Sequence, residues 1–311
     1  MTFLAYFGKI CLNLYGEVMK EKIEYFLLKL FLSFAQIVPR VLLYKSIKYL
    51  TLFVYILDKK RRLLTIQNLH KAFPQKTTTE IEVLAKSVYI ELSKTISEIL
   101  LMFVNRFSID NAIINKEESI EHLRKLTQNS NGIIVMTAHF SNWELAAHFL
   151  AKHGLPMLAI GRKGNNKLID RHITIPFREK YGNQAVSKKK AVILMMKKLK
   201  SKGNIGLLID QKSGALNSAK VDFFGVPAET TLSVASLKLK LNVMVVPIFI
   251  ARQDNGLYKM IINDPIEYCA EEMSKKEEKL EAMTLKYNMS IEEVVRKYPA
   301  QWFWMHNRWR I

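Results

Sequence analysis

GIIVMTAHFSNWELAAH, residues 132–148, decides the fold. GIIVMTA is apolar without a break and too short for a core helix, so it reads as a buried strand. The next segment, 143–153, has helical spacing and is closed by Gly154. The alternation then repeats. LPMLAI (155–160) reads as a strand, 167–181 as a helix, 184–186 as a short strand and 188–202 as a helix. NIGLLID (204–210) is a strand, 230–241 a helix and NVMVVPIFIA (242–251) a strand. After the turn QDNG at 253–256, LYKMII (257–262) reads as a hairpin partner. This order predicts an α/β fold with a mostly parallel central sheet flanked by helices. In such sheets chemistry gathers at the carboxyl ends of the strands.

The part ahead of the sheet is helical in pattern. Residues 79–126 predict two helices, the first opened by a Thr79–Glu82 capping box. Its stripe of Ile81, Leu84, Val88, Leu92, Ile96, Ile99 and Phe103 is assigned to core packing. Residues 1–73 form a basic, apolar N-terminal segment, set apart from an α/β domain over 74–311. Twelve Lys/Arg against Glu17, Glu21, Glu24 and Asp58 give that segment a charge of +8. Phe26, Leu27, Leu30, Phe31, Phe34 and Val38 recur at helical spacing, and Pro39 breaks the run. Two compatible uses follow: a helical layer packed on the rest, and a helix lying in a membrane interface with its cations toward anionic headgroups. A spanning helix needs about 18 nearly uncharged residues. The runs LFLSFAQIVP (30–39) and YLTLFVYIL (49–57) stop well short, and the charged start lacks the pattern of a signal peptide.

With 311 residues, 49% hydrophobic and 24% charged, the chain can bury a real core, which excludes a disordered class. Lys+Arg 47 against Asp+Glu 28 leaves +19, and so large a surplus asks for an anionic partner. Nucleic acid is disfavoured, because the cations are spread over several helices rather than interleaved with aromatics on one face. Cys11 and Cys269 lie at opposite ends with no chelating neighbours in sequence, so neither a metal site nor a disulfide framework is expected. Phosphate-loop, nucleophile-elbow, zincin and dinucleotide motifs are all missing.

The expected strand ends carry the candidate residues. His139 leaves the first strand and Glu144 follows five residues later. With His139 in the turn before the helix, Glu144 can fold back to its imidazole, and a histidine held by a carboxylate is a general-base arrangement. The second strand end presents Arg162 and Asn166, and its following helix ends near Arg178. NIGLLID delivers Asp210 and Gln211, followed by VDFFGVPAETT (221–231), read without regular structure. WFWMHNRW near the C-terminus is read as a helix with Trp302, His306 and Trp309 on one face, for packing or interface anchoring.

Five blocks in order resemble the bacterial lipid A late acyltransferases: RRLLTIQNLHKAFP (61–74), AHFSNWE (138–144), GRKGNN with the trailing Arg178 and its GN, LLIDQ through FFGVPAETT (207–231), and YPAQWFWMHNRWR (298–310). The resemblance implies a glycerolipid-acyltransferase-like fold. It also implies His139 and Glu144 as catalytic dyad, and Arg178 and Asp210 as functional residues; Arg162, Asn166 and Gln211, presented at the same strand ends, are the further candidate substrate contacts. Lys212 and Ser213 stand where an additional acid is common in the family. An acyl-acyl carrier protein donor, an anionic glycolipid acceptor of the Kdo-lipid IVA type, no cofactor and a place on the cytoplasmic face of the bacterial inner membrane follow from the same resemblance. The aromatics at 221–231 then suit the wall of an acyl channel. Backbone N–H groups after His139 are candidates for the oxyanion. The competing readings are transfer to another glycolipid, such as a phosphatidylinositol mannoside, and a non-enzymatic basic membrane-binding protein.

Overall fold

The computed structural model describes residues 3–128, 130–161, 164–187, 191–214, 217–268 and 270–309, with side chains from residue 18 onward except at 187. The helices α1 (Phe3–Ile37), α2 (Arg40–Leu57), α3 (Lys59–Ala72), α4 (Thr78–Phe103) and α5 (Lys116–Gln128) precede the sheet. Then follow β1 (Ile133–Thr137), α6 (Trp143–Lys152), β2 (Met157–Gly161), α7 (Lys167–Ile169), α8 (Ile175–Glu179), β3 (Gln184–Ser187), α9 (Ala191–Lys200) and β4 (Asn204–Leu208). The chain continues through β5 (Ser218–Phe223), β6 (Val226–Thr231), α10 (Ser233–Leu241), β7 (Met244–Arg252), β8 (Tyr258–Ile262) and α11 (Lys276–Lys297).

The strands stack in the order β3-β2-β4-β1-β7-β8, parallel except for β8, which returns antiparallel on β7. The mostly parallel α/β sheet expected from the sequence is therefore present. Side chains alternate between its faces, and both faces are covered. Ile134, Met136, Ile205, Leu207, Val245 and Phe249 pack into one core. Ile133, Val135, Val246 and Ile248 pack into the other, under Leu145 and Phe149 of α6. Burying each such side chain contributes about 1.5–3 kcal/mol.

Several local expectations are corrected. The capping box is Thr77 with Glu80, not Thr79 with Glu82: Thr77 Oγ1 accepts from Glu80 N at 3.3 Å, and the Glu80 carboxylate accepts from Thr77 N at 2.8 Å. The helix expected over 167–181 is interrupted by a π turn at Asp170–Thr174. Pro176, which cannot donate to the turn before it, starts α8 there. VDFFGVPAETT is a strand hairpin, β5–β6, turning at Phe224 (φ 57°) and Gly225 (φ 70°). The C-terminal WFWMHNRW is not helical beyond the 3-10 turn Pro299–Gln301. Trp302, Trp304 and Trp309 are buried, so they are core residues rather than interfacial anchors.

The N-terminal helices join this body through α4, where Leu43 and Ile47 of α2 meet Leu100 and Leu101, and Ala35 of α1 completes the cluster. The end of α1 has no cation of its own, and Arg106 supplies one, donating to Ala35 O at 2.8 Å and Val38 O at 2.7 Å. Their outward surface is apolar: Phe26, Leu27, Leu30, Phe34, Leu50, Phe53, Ile56 and Leu57 are exposed. Among the described residues no helix is long and apolar enough to cross a membrane.

At the centre Glu98, 2% exposed, accepts from Arg252 Nη1, Arg252 Nη2 (2.9 Å), Tyr258 Oη, Asn142 Nδ2 (3.1 Å) and Tyr44 Oη (3.3 Å). Burial and the Glu98 charge push the Tyr258 phenol well above its ordinary range, so it stays protonated and donates. Removing Glu98 takes from Arg252 its buried carboxylate, leaving it the partly buried Glu91 at 3.2 Å, and strips Tyr258 and Asn142 of their acceptor. Glu98→Ala is expected to lower unfolding free energy by about 3–5 kcal/mol, and Glu98→Leu combined with Arg252→Met by much less. Urea denaturation of both variants checks the ordering.

Candidate active site

The register of two strands builds the site. β1 and β4 are parallel neighbours with Thr137 opposite Leu208, and Ile209 N donates to Thr137 O at 3.2 Å. His139 and Asp210 each lie two residues beyond that pair, at adjoining carboxyl ends. The chain leaves β1 past β4 toward β2 and leaves β4 past β1 toward β7, with α6 packed on one face of the sheet and α10 on the other.

Asp210 is 1% exposed and its carboxylate is fully engaged. Oδ1 lies 2.9 Å from His139 Nδ1, and Oδ2 accepts from His139 N at 2.9 Å and from Trp302 Nε1 at 2.8 Å. Burial raises the Asp210 pKa, but the His139 charge, the hydrogen bonds from its ring and backbone, and Trp302 outweigh burial and hold it below the ordinary value. An ionised carboxylate only accepts, so Nδ1 of His139 carries a proton and Nε2 is the basic nitrogen. The imidazole is partly exposed, and the Trp143 ring stands edge-on to it, centroids 5.3 Å apart.

Glu144 does not take the place expected for it. Its carboxylate accepts from Arg178 Nη2 at 2.6 Å and from Arg178 Nε at 3.1 Å. The reason lies in the helix start. Asn142 caps α6 through Leu145 N (3.0 Å), so Glu144 sits in the first turn and projects toward the segment after β2, while Trp143 adjoins the imidazole. The carboxylate on His139 is Asp210 instead. Gly161, at the end of β2, lies beside this guanidinium: a Cβ there would sit in ordinary contact, 3.4 Å from Arg178 Nη1. One turn along α6 the buried His148 Nε2 lies 2.8 Å from Phe177 O, which fixes the backbone beside Arg178.

The other expected residues fall as follows. Asn166 is buried and its side chain is used within the protein, capping α7 and bonding α1, so it is not a substrate contact. Gln211 follows Asp210 and is partly exposed. Arg162 lies outside the described residues. The oxyanion role expected of the N–H groups after His139 is reduced. His139 N donates to Asp210, Phe140 N to Ala138 O and Ser141 N to Gln301 O. Trp302 was missed as a site residue, because its indole looked like packing alone. Its signal is a tryptophan within a run of polar and aromatic residues that must return to the sheet.

A small cleft beside His139 is walled by Val88, Leu92, Trp143, Trp302 and Met305. A larger hollow of about 250 Å³ lies between α5, β8 and α11 and contains none of these residues.

A histidine held by a buried carboxylate at the carboxyl ends of parallel strands can carry out general acid–base chemistry, and a carboxylate-braced arginine can bind an anion. The family model for the bacterial lipid A biosynthesis acyltransferases matches residues 18–311. Similar proteins include lipid A biosynthesis acyltransferase 2 of Shigella flexneri, 24% identical over 79% of this chain and 76% of that one. The lipid A biosynthesis lauroyltransferase of Escherichia coli (strain K12) is 25% identical, over 81% and 80%. The chain belongs to the bacterial lipid A biosynthesis acyltransferase family and is an acyltransferase.

Because the native Asp210 pKa is depressed, its stabilising effect is full above the unfolded carboxylate value, about 3.9, and is lost as pH falls through the native one. Asp210→Asn is expected to be less stable than wild type at pH 7, by about 2–3 kcal/mol for lost charge-assisted hydrogen bonds. The gap should narrow below pH of about 4. Denaturation midpoints measured across pH 3–7 check the sign.

Proposed function

We propose that this chain moves a fatty acyl group from an acyl-acyl carrier protein thioester to a hydroxyl of a lipid A precursor of the Kdo-lipid IVA type, without a covalent acyl-enzyme. The observation that carries the reading is the His139 Nδ1–Asp210 contact, which turns Nε2 into the base. Nε2 takes the hydroxyl proton as the oxygen attacks the thioester carbonyl. The carbon–sulfur bond then breaks, and the imidazolium returns the proton to the departing thiolate. A thioester is already activated, so no covalent nucleophile is needed. Asp210 sets the tautomer and stabilises the imidazolium. Arg178, turned by Glu144, offers its remaining donors to an anionic group of the acceptor. The excess of cations suits both an anionic glycolipid and an acidic carrier protein. The exposed apolar surface of α1 and α2 suits attachment to the cytoplasmic face of the inner membrane, which brings the site to headgroup level.

The assignments separate kinetically. His139→Ala should fold and lose at least about 10²-fold in kcat. Asp210→Asn should likewise act on kcat, through the wrong tautomer. Glu144→Gln and Arg178→Ala should act mainly on KM for the acceptor, with Arg178→Lys recovering part of the loss because lysine lacks the bidentate fork. Initial rates over a range of acceptor concentrations, with acyl carrier protein thioesters and mass-spectrometric detection, decide it. Full turnover by folded His139→Ala would remove the mechanism. Attachment has its own test: Leu30, Phe31 and Phe34 are exposed, so Leu30→Gln, Phe31→Gln and Phe34→Gln together should leave the fold intact. The triple variant should shift from the membrane to the soluble fraction, whereas high salt alone should release wild type only partly, since salt does not screen apolar burial. A triple variant as tightly bound as wild type would place attachment elsewhere.

A further inference from the structure

Asn166 is 6% exposed, and both ends of its amide are committed. Oδ1 accepts from Leu168 N at 3.0 Å and Ile169 N at 3.1 Å, starting α7. Nδ2 donates to Glu21 O at 2.8 Å and Glu24 Oε2 at 3.0 Å, both on α1. Lys167 N adds a longer contact to Glu21 Oε1 at 3.5 Å, and the Tyr25 ring lies 5.9 Å from that of His172. From Asn166 the helical segment runs through the π turn to Arg178 near the end of α8. One side of α1 thus grips the start of the segment whose end carries the acceptor arginine.

The other side of α1 faces outward. At about 100° per residue, Phe26, Leu30, Phe34 and Ile37 fall in one stripe, while Glu21 and Ala35 fall opposite. The stripe residues are exposed and Ala35 is fully buried. A helix with an apolar outer stripe and a polar inner grip transmits its own position to whatever it grips. The π turn at Asp170–Thr174 interrupts the α-helical hydrogen-bond register between Asn166 and Arg178.

We propose that Asn166 is a positioning residue: it ties the Arg178 segment to α1, so that docking of α1 on a lipid surface holds Arg178 in place for the acceptor. This rests on the membrane attachment and the Arg178 role proposed above. The tie runs through two hydrogen bonds to α1, one of them to a carboxylate. It holds the arginine from one end of its segment while Glu144 and His148 hold it from the other.

Asn166→Asp isolates the tie from the cap. Aspartate is a good N-cap, so α7 keeps its start, but the donor is lost and a second carboxylate faces Glu24. Adding Glu24→Gln to that background supplies an amide donor across the same gap. Wild type, Asn166→Asp and the double variant are bound to phosphatidylethanolamine/phosphatidylglycerol vesicles and followed by hydrogen exchange. Wild type should gain protection in both α1 and residues 167–179, Asn166→Asp in α1 alone, and the double variant in both. With acceptor embedded in the same vesicles, Asn166→Asp should raise KM by about 5- to 10-fold with kcat largely kept, consistent with losing a charge-assisted hydrogen bond, and the double variant should recover part of it. Wild-type protection of 167–179 in Asn166→Asp overturns the proposal. Protection lost from 167–179 with KM unchanged establishes the tie and overturns the acceptor role of Arg178 instead.

Discussion

The carboxylate of Glu98 gathers Tyr44 from α2, Asn142 from the turn before α6, Arg252 from β7 and Tyr258 from β8 around one buried charge. Two of these partners serve a second purpose. Asn142 caps α6 and so sets the direction of Glu144. Arg252 exchanges backbone hydrogen bonds with the Gln301 side chain, and Gln301 O in turn receives Ser141 N. Phe303 N then donates to His139 O, and Trp302 reaches Asp210. A charge left unpaired there would be expensive, so the sheet edge, the helix start and the C-terminal return are held to one arrangement.

That arrangement explains why the site is split between legible and illegible parts. The parallel α/β layer could be read from buried apolar runs alternating with helical spacing, because the two periods differ and both faces of the sheet are covered. His139 is legible for the same reason: it stands where one of those apolar runs ends. Its partner could not be chosen by spacing. Glu144 is five residues away in sequence and Asp210 is seventy-one, yet strand order makes Asp210 the neighbour. Strand order is set by crossover connections, and no local pattern records which strand lies beside which.

The misread elements share a cause. Thr77 and Thr79 are each followed three residues later by a glutamate, and only tertiary packing selects the first as the helix start. The C-terminal tryptophans fit a helical face on paper, but Trp302 pairs antiparallel with Phe140 and sends its indole to a carboxylate. Extended backbone with indole donors satisfied inside is indistinguishable in sequence from an aromatic helix face. Asn166 looked like a ligand contact because polar residues at strand ends often are. Its partner lies on α1, a helix the sheet pattern says nothing about.

Asp210 and Glu144 are close in chain chemistry and opposite in effect. Asp210 is buried, takes its three hydrogen bonds from His139 and Trp302, and so keeps its negative charge beside the imidazole. Glu144 is spent on Arg178, which lowers the net positive charge of that pair while fixing its direction. Were Glu144 on the imidazole instead, Arg178 would be a mobile cation and Asp210 a buried charge without its main counterpart. The observed division places one carboxylate on the imidazole and the other on the guanidinium. It also leaves Arg178 Nη1 outside the hydrogen bonds to Glu144, on a guanidinium that is partly exposed.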